Sequence, residues 1–93
     1  MANNLFISYD LYAPGQHYQR VIDAIKTLGP WAKLEKSLWY VNSASNAESA
    51  AKFLWQKMDA NDVLIVIDST NNDAYWYNMD SDVSKQLQEQ WSR

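Results

Sequence analysis

The chain contains no cysteine, one histidine, two glycines and two prolines in 93 residues. Without cysteine there is no disulfide scaffold, no zinc ribbon and no thiol chemistry. With His17 as the single histidine, a two-histidine metal site within one chain is excluded. The longest apolar run is Val63-Leu64-Ile65-Val66-Ile67, far short of the ~20 residues a membrane span needs. Met1-Ala2-Asn3-Asn4 has neither a basic region nor an apolar stretch. The reading is therefore a cytoplasmic protein without a signal peptide and without a membrane partner. No Gly-rich phosphate loop, nucleophile elbow or paired glutamates occur. Asp68, Asp73, Asp80 and Asp82 lack the spacing and the glycine of a calcium loop, and read as an acidic solvated segment.

What is present describes one ordinary globular domain, residues 1–93. A chain of 10.8 kDa buries roughly 60–65% of its unfolded surface, enough for one sheet-and-helix core. Apolar residues make up 47% and charged residues 20%, both average values, so disorder is not expected. Aromatics and asparagine are the unusual part: five tryptophans, six tyrosines and eight asparagines. Charge is divided. Residues 1–57 carry a net +2 and residues 58–93 a net −5, with no basic residue between Lys57 and Lys85. A chain of net charge −3 is no general electrostatic binder of nucleic acid.

Along the chain, Leu5 to Leu11 alternates as a strand, with Leu5, Ile7 and Tyr9 on one face and Phe6, Ser8 and Asp10 on the other. Ala13-Pro14-Gly15 makes a loop. From Gln16 to Leu28, the positions Tyr18, Val21, Ile22, Ile25 and Leu28 follow helical periodicity, and Gly29-Pro30 ends it. Trp31 to Val41 reads as two short strands, 31–35 and 38–42, turning at Lys36-Ser37. Ser43 to Asn46 offers helix N-caps, and Glu48 stands at capping-box spacing from Ser45. The helix that follows, 46–58, has the small residues for close approach to a sheet. Val63 to Ile67 reads as a strand buried on both faces. Residues 69–78 read as a polar loop interrupted by Tyr75-Trp76-Tyr77, and Asp80 or Ser81 caps a last helix to Trp91. The apolar stripe of that helix, Val83, Leu87 and Trp91, is one residue wide.

This order predicts an α+β fold: a ferredoxin-like β-α-β-β-α-β plait plus a C-terminal helix. Its four-stranded antiparallel sheet carries two helices on one face. The other face, carrying Phe6, Ser8 and Asp10, must be capped by the C-terminal segment or by another subunit; a homodimer is the expected solution, with residues 69–93 in the contact and Phe6, Val41 or Trp39 in the seam.

The strand ending Ser8-Tyr9-Asp10, the helix with Arg20-Val21 closing on Leu28-Gly29, and the turn Lys36-Ser37 into Leu38-Trp39-Tyr40-Val41 carry a resemblance. The chain resembles the small CRISPR-associated ferredoxin-fold proteins that partner the spacer integrase, and the related VapD-type toxin endoribonucleases. It resembles more closely the small bacterial and phage proteins labelled SinR family. The resemblance implies that Asp10 stands at a dimer cleft, where two copies hold one Mg²⁺ or Mn²⁺ ion at low affinity. Nucleases of this kind follow the aspartate with a basic loop. Here Tyr12-Ala13-Pro14-Gly15-Gln16 follows, and the first basic residue is Arg20.

The function expected is therefore binding without catalysis or resident cofactor: a nucleotide or short nucleic acid in an aromatic-lined dimer cleft. The candidate ligand-binding residues are Ser8, Asp10, Tyr12, His17, Arg20, Trp39 and Trp76. Two alternatives stay open. One is a metal-dependent endonuclease of toxin or CRISPR type centred on Asp10; the other is a protein-interaction factor, such as a phage-encoded inhibitor of host defence. Trp39 and Tyr40 must point to opposite faces, and the sequence leaves open which of them meets the helices.

Overall fold

A computed structural model describes residues 2–12 and 18–91. Five strands and three helices follow in the order β1 (Asn3–Asp10), α1 (Tyr18–Lys26), β2 (Trp31–Glu35), β3 (Leu38–Ser43), α2 (Ala47–Trp55), β4 (Val63–Asp68), β5 (Asp73–Tyr77) and α3 (Ser81–Gln90). The strands form one antiparallel sheet in the order β2-β3-β1-β4-β5. The sheet thus has five strands where the sequence pattern predicted four.

The alternation of β1 decides which face is the core. Leu5, Ile7 and Tyr9 are buried, and register places Val41 and Trp39 beside Leu5 and Ile7 on β3. Leu64 and Val66 extend the same layer on β4. Onto it pack Val21, Ala24 and Ile25 of α1, and Ala47, Ala50, Ala51 and Leu54 of α2. Three alanines at these positions leave little side-chain bulk between the helix axis and the strands, so α2 settles closely on β4 and β5. Each large aliphatic side chain buried here is worth about 1.5–3 kcal/mol.

Several expectations require correction. The supposed loop 69–78 contains β5: Tyr75-Trp76-Tyr77 alternates across an edge strand, each ring half-buried. Tyr77 stacks flat on Trp55 of α2, 4.6 Å between centroids, while Trp76 points to the opposite face. β4 is not buried on both sides: Leu64, Val66 and Asp68 are buried, but Val63, Ile65 and Ile67 are only half-buried. The cap of α2 is Asn46, whose side chain accepts the Ser49 N–H at 2.8 Å, so the Ser45–Glu48 capping box does not form. For α3 the expected cap holds, with the Asp80 carboxylate accepting the Asp82 N–H.

Two asparagines bracket β5 in the left-handed conformation, Asn72 at φ 53° and Asn78 at φ 60°. Asparagine tolerates that region because its short polar side chain bonds locally. The Asn78 amide donates to the carbonyls of Ala60 and Asp62, and this pins the exit of β5 to the entrance of β4. Gly29 has φ 152°, and a Cβ there would run into the carbonyl oxygen of Asn42. The Gly-Pro stop therefore also sets the approach of the chain to β3. The Pro-Gly loop, Gln16 and the helix start at His17 lie outside the described residues.

A candidate binding surface on the open sheet face

Because α1 and α2 share one face, the other face of the sheet is left to itself. Antiparallel register arranges its side chains in lateral rows. One row runs Tyr40, Phe6, Ile67, Ala74; the next runs Leu38, Ser8, Ile65, Trp76. Asn42 and Asn4 are register partners beyond the first row, and Asp10 with Val63 lies beyond the second. Phe6 and Tyr40 occupy neighbouring central strands, half-buried, with ring centroids 5.5 Å apart and planes tilted by 56°. The Tyr40 hydroxyl donates to the Asn4 side-chain carbonyl at 2.6 Å, which fixes the outer end of the ring.

Helix α3 turns back along β5 at the margin of this face. The Trp76 indole N–H donates to the Ser84 hydroxyl at 2.9 Å, and that of Trp91 to the Asn72 carbonyl at 3.0 Å. No residue of α3 is buried. Its apolar stripe instead lines an open groove with Val83, Leu87 and Trp91, and Val83 is 41% exposed. The helix is tethered by two indole hydrogen bonds, not by a core.

The candidate residues fall into separate groups. Ser8, Asp10 and Trp76 share the open face, and Ser8 and Trp76 lie in one row through Ile65. Tyr12 follows the end of β1 and is 74% exposed, the most exposed large aromatic among the described residues. Arg20 is on α1, in the helix layer, where its Nε donates to the Lys57 carbonyl at 3.1 Å. It belongs to the opposite side of the sheet from Ser8. Trp39 is 2% exposed in the core, with its indole N–H donating to the Tyr9 hydroxyl at 3.2 Å. Its ring therefore lines no open surface, and Val41, also buried, offers nothing to a seam. Tyr40 is the member of that pair which faces outward. His17 is outside the described residues.

Sequence reasoning left Phe6, Tyr40, Asn4 and Asn42 out of the candidate set. A period-two reading of both central strands marks all four, once Ile7 is paired with Trp39. It also missed the buried carboxylate of Asp62, and Asp68, expected in a solvated acidic segment, is fully buried. Asp62 accepts the Tyr12 N–H at 2.8 Å through one oxygen and the Asp59 N–H at 2.7 Å through the other. Asp68 accepts the backbone N–H groups of Thr70 and Asn71 and the Asn71 side-chain amide. Both serve turns, where aspartate substitutes for a backbone acceptor.

On the helix side, burial raises the Tyr77 hydroxyl above the ordinary tyrosine value, and neighbouring Tyr75 adds to the shift. Lys52 is raised by its hydrogen bond and ion pair with Glu48, 2.7 Å away. Among the described residues, no group of three or more acidic or histidine side chains could hold a metal ion, and no helix is long and apolar enough to cross a membrane. No family model, no curated protein and no solved structure matches the chain.

Proposed function

We propose that this is a small non-catalytic binding protein, a ferredoxin-like plait of β1–β4 with β5 added at one edge. Its ligand is a nucleotide or short nucleic acid, taken up against the open face of the sheet. The observation that carries this reading is the Phe6–Tyr40 pair, two half-buried rings side by side on the central strands. Aromatic rings on an open four- or five-stranded sheet give bases a stacking platform, worth about 1–3 kcal/mol per base. Asn4 and Asn42 bring amide donors and acceptors to the next row, suited to base edges. A second copy, docking through the stripe of α3, closes the platform into a cleft. A chain without cysteine suits the reducing cytoplasm.

The charge pattern limits what such a site can hold. β1, β3, β4 and β5 contain no lysine or arginine. Phosphates would remain in solvent, so affinity would come from stacking and fall only weakly with salt. Fluorescence anisotropy with a labelled oligothymidylate, an oligouridylate and a labelled adenine nucleotide tests the reading. Binding of at least one, weakened about tenfold or more in Phe6→Ala and in Tyr40→Ala, is the expected result. Absence of binding to all three at high micromolar protein would overturn it.

One observation favours a second reading. A face whose strands β1, β3, β4 and β5 carry no lysine or arginine, with Asp10 and Glu35 toward one end, also fits the core-and-rim composition of a protein interface. In that case Phe6→Glu abolishes a protein complex and leaves no nucleotide effect to measure.

A further inference from the structure

Among the described residues β2 is the one strand whose five residues are all exposed, and as an edge strand it is paired on one side only. The ladder fixes which of its backbone groups face outward. The Asn42 N–H donates to the Pro30 carbonyl at 2.8 Å, so Pro30 and Asn42 stand at a hydrogen-bonded position. In an antiparallel pair such positions alternate. Ala32 therefore bonds toward β3, while Trp31 and Lys33 direct N–H and C=O to the free edge. Two large hydrophobic side chains mark the same strand, Trp31 at 45% and Leu34 at 49% exposed.

Trp31 is held in position as well as exposed. Its ring lies 5.4 Å from that of Trp39, and the Lys26 ammonium sits 4.7 Å from its centroid. Lys33 stands 5.7 Å from the Trp39 ring, and Lys36 follows in the turn. Lys26 and Lys33, each over a ring of the Trp31–Trp39 pair, outnumber Glu35, the one acid of the strand, and leave this edge a net charge of +1. Pairing with the same strand of a second copy would gather twice that charge in one seam. The edge is thus biased against itself and toward a negatively charged segment.

We propose that β2 is a docking edge for an extended segment of an acidic partner protein, which adds to the sheet as a further strand. Its main chain pairs with Trp31 and Lys33, its acidic side chains meet Lys26 and Lys33, and an apolar residue covers Trp31. This edge lies beyond the open face and does not depend on the nucleotide reading.

Amide hydrogen exchange on the full chain tests it, and the probe is a short capped glutamate–valine peptide, Glu-Thr-Val-Thr-Glu, which carries glutamate and valine on one face because Trp31 and Lys33 share a face of β2. The expected result is that exchange at Trp31 and Lys33 slows by about tenfold or more at saturating peptide. The lysine–valine peptide, and the glutamate–valine peptide N-methylated along its pairing edge, should leave it unchanged. Lys33→Pro should abolish the slowing at Trp31 with the fold intact, since proline is accepted where the N–H points outward. Lys33→Gln should weaken binding several-fold. No slowing at millimolar acidic peptide, equal slowing by the N-methylated peptide, or undiminished binding by Lys33→Pro would each overturn the proposal. So would slowing without peptide that grows with protein concentration, which would make a second copy the occupant.

Discussion

The Asp62 carboxylate accepts the backbone N–H of Tyr12 at 2.8 Å, a bond between residues 50 apart in sequence. Its second oxygen takes the Asp59 N–H, and only 2% of the residue is exposed. One side chain thus fixes both where β1 ends and where the approach to β4 begins. Asp10, two residues before Tyr12, is the last position of β1 in register with β4, opposite Val63.

Removing the anchor should be costly. Asp62→Ala leaves two N–H groups without acceptors, and a loss of about 2–4 kcal/mol is expected. Asp62→Asn keeps one acceptor oxygen and should lose about half as much. Urea unfolding of both variants checks this, and equal stability of Asp62→Ala with the parent would show that the bonds carry no net weight.

Gly29→Ala should be as severe without removing any interaction. The residue combines a positive φ of 152° with backbone contact to Asn42, so an added methyl is both strained and obstructed. A loss of at least about 2 kcal/mol is expected in chemical denaturation. A gain in stability would mean that the turn relaxes freely.

Truncation after Asp80 should leave a folded sheet. The helix it removes buries no residue and is tied by the two indole bonds from Trp76 and Trp91, so the cost is under about 2 kcal/mol. Light scattering should show a dimer for the full chain and a monomer for the truncated one. Outright unfolding in circular dichroism would place α3 in the primary core.

Asp10→Ala should abolish no turnover. Asp10 is exposed at the end of β1, with Val63 as its register partner, and the only candidate cation near it in sequence, Arg20, is turned to the helix layer. Labelled DNA and RNA incubated with the protein in Mn²⁺ should stay intact. Cleavage that disappears in Asp10→Ala would make the endonuclease reading the leading one.

Alkaline stability carries the signature of Tyr77. Its hydroxyl is raised in the folded state above 10.0, so folding favours the neutral form. The contribution is fully present below the unfolded value and is lost as pH rises through the folded one. The urea midpoint should therefore fall above about pH 10, and fall less in Tyr77→Phe. Identical alkaline profiles would exclude Tyr77 as the cause.

Much of this architecture was legible one strand or helix at a time. Leu5-Ile7-Tyr9 announced a half-buried strand, and Val21-Ile22-Ile25 a helix, because burial on one side imposes a period of 2 or 3.6 on any sequence. β5 was hidden because its flanks, Asn71-Asn72 and Asn78, look like loop. They are loop, but Tyr75-Trp76-Tyr77 between them obeys strand alternation, with Trp55 and α3 covering opposite sides. The candidate site was less legible. Alternation places Ser8 and Asp10 on the open face, whereas Arg20 enters only as the first basic residue after Asp10, and alternation alone leaves open whether Trp39 or Tyr40 faces outward.

Local chemistry by itself determined the kinds of element, most of their limits and the absence of thiol or two-histidine chemistry, since these depend on residues in contact along the chain. Pairing between distant segments decided the rest. Whether Trp39 or Tyr40 faces the helices turns on Ile7 meeting Trp39 across 32 positions of sequence. A shift of one residue would have reversed every side chain of β3. Only burial of Leu5, Ile7, Val41, Leu64 and Val66 against a shared pair of helices selects that register, and with it the rings left on the open face.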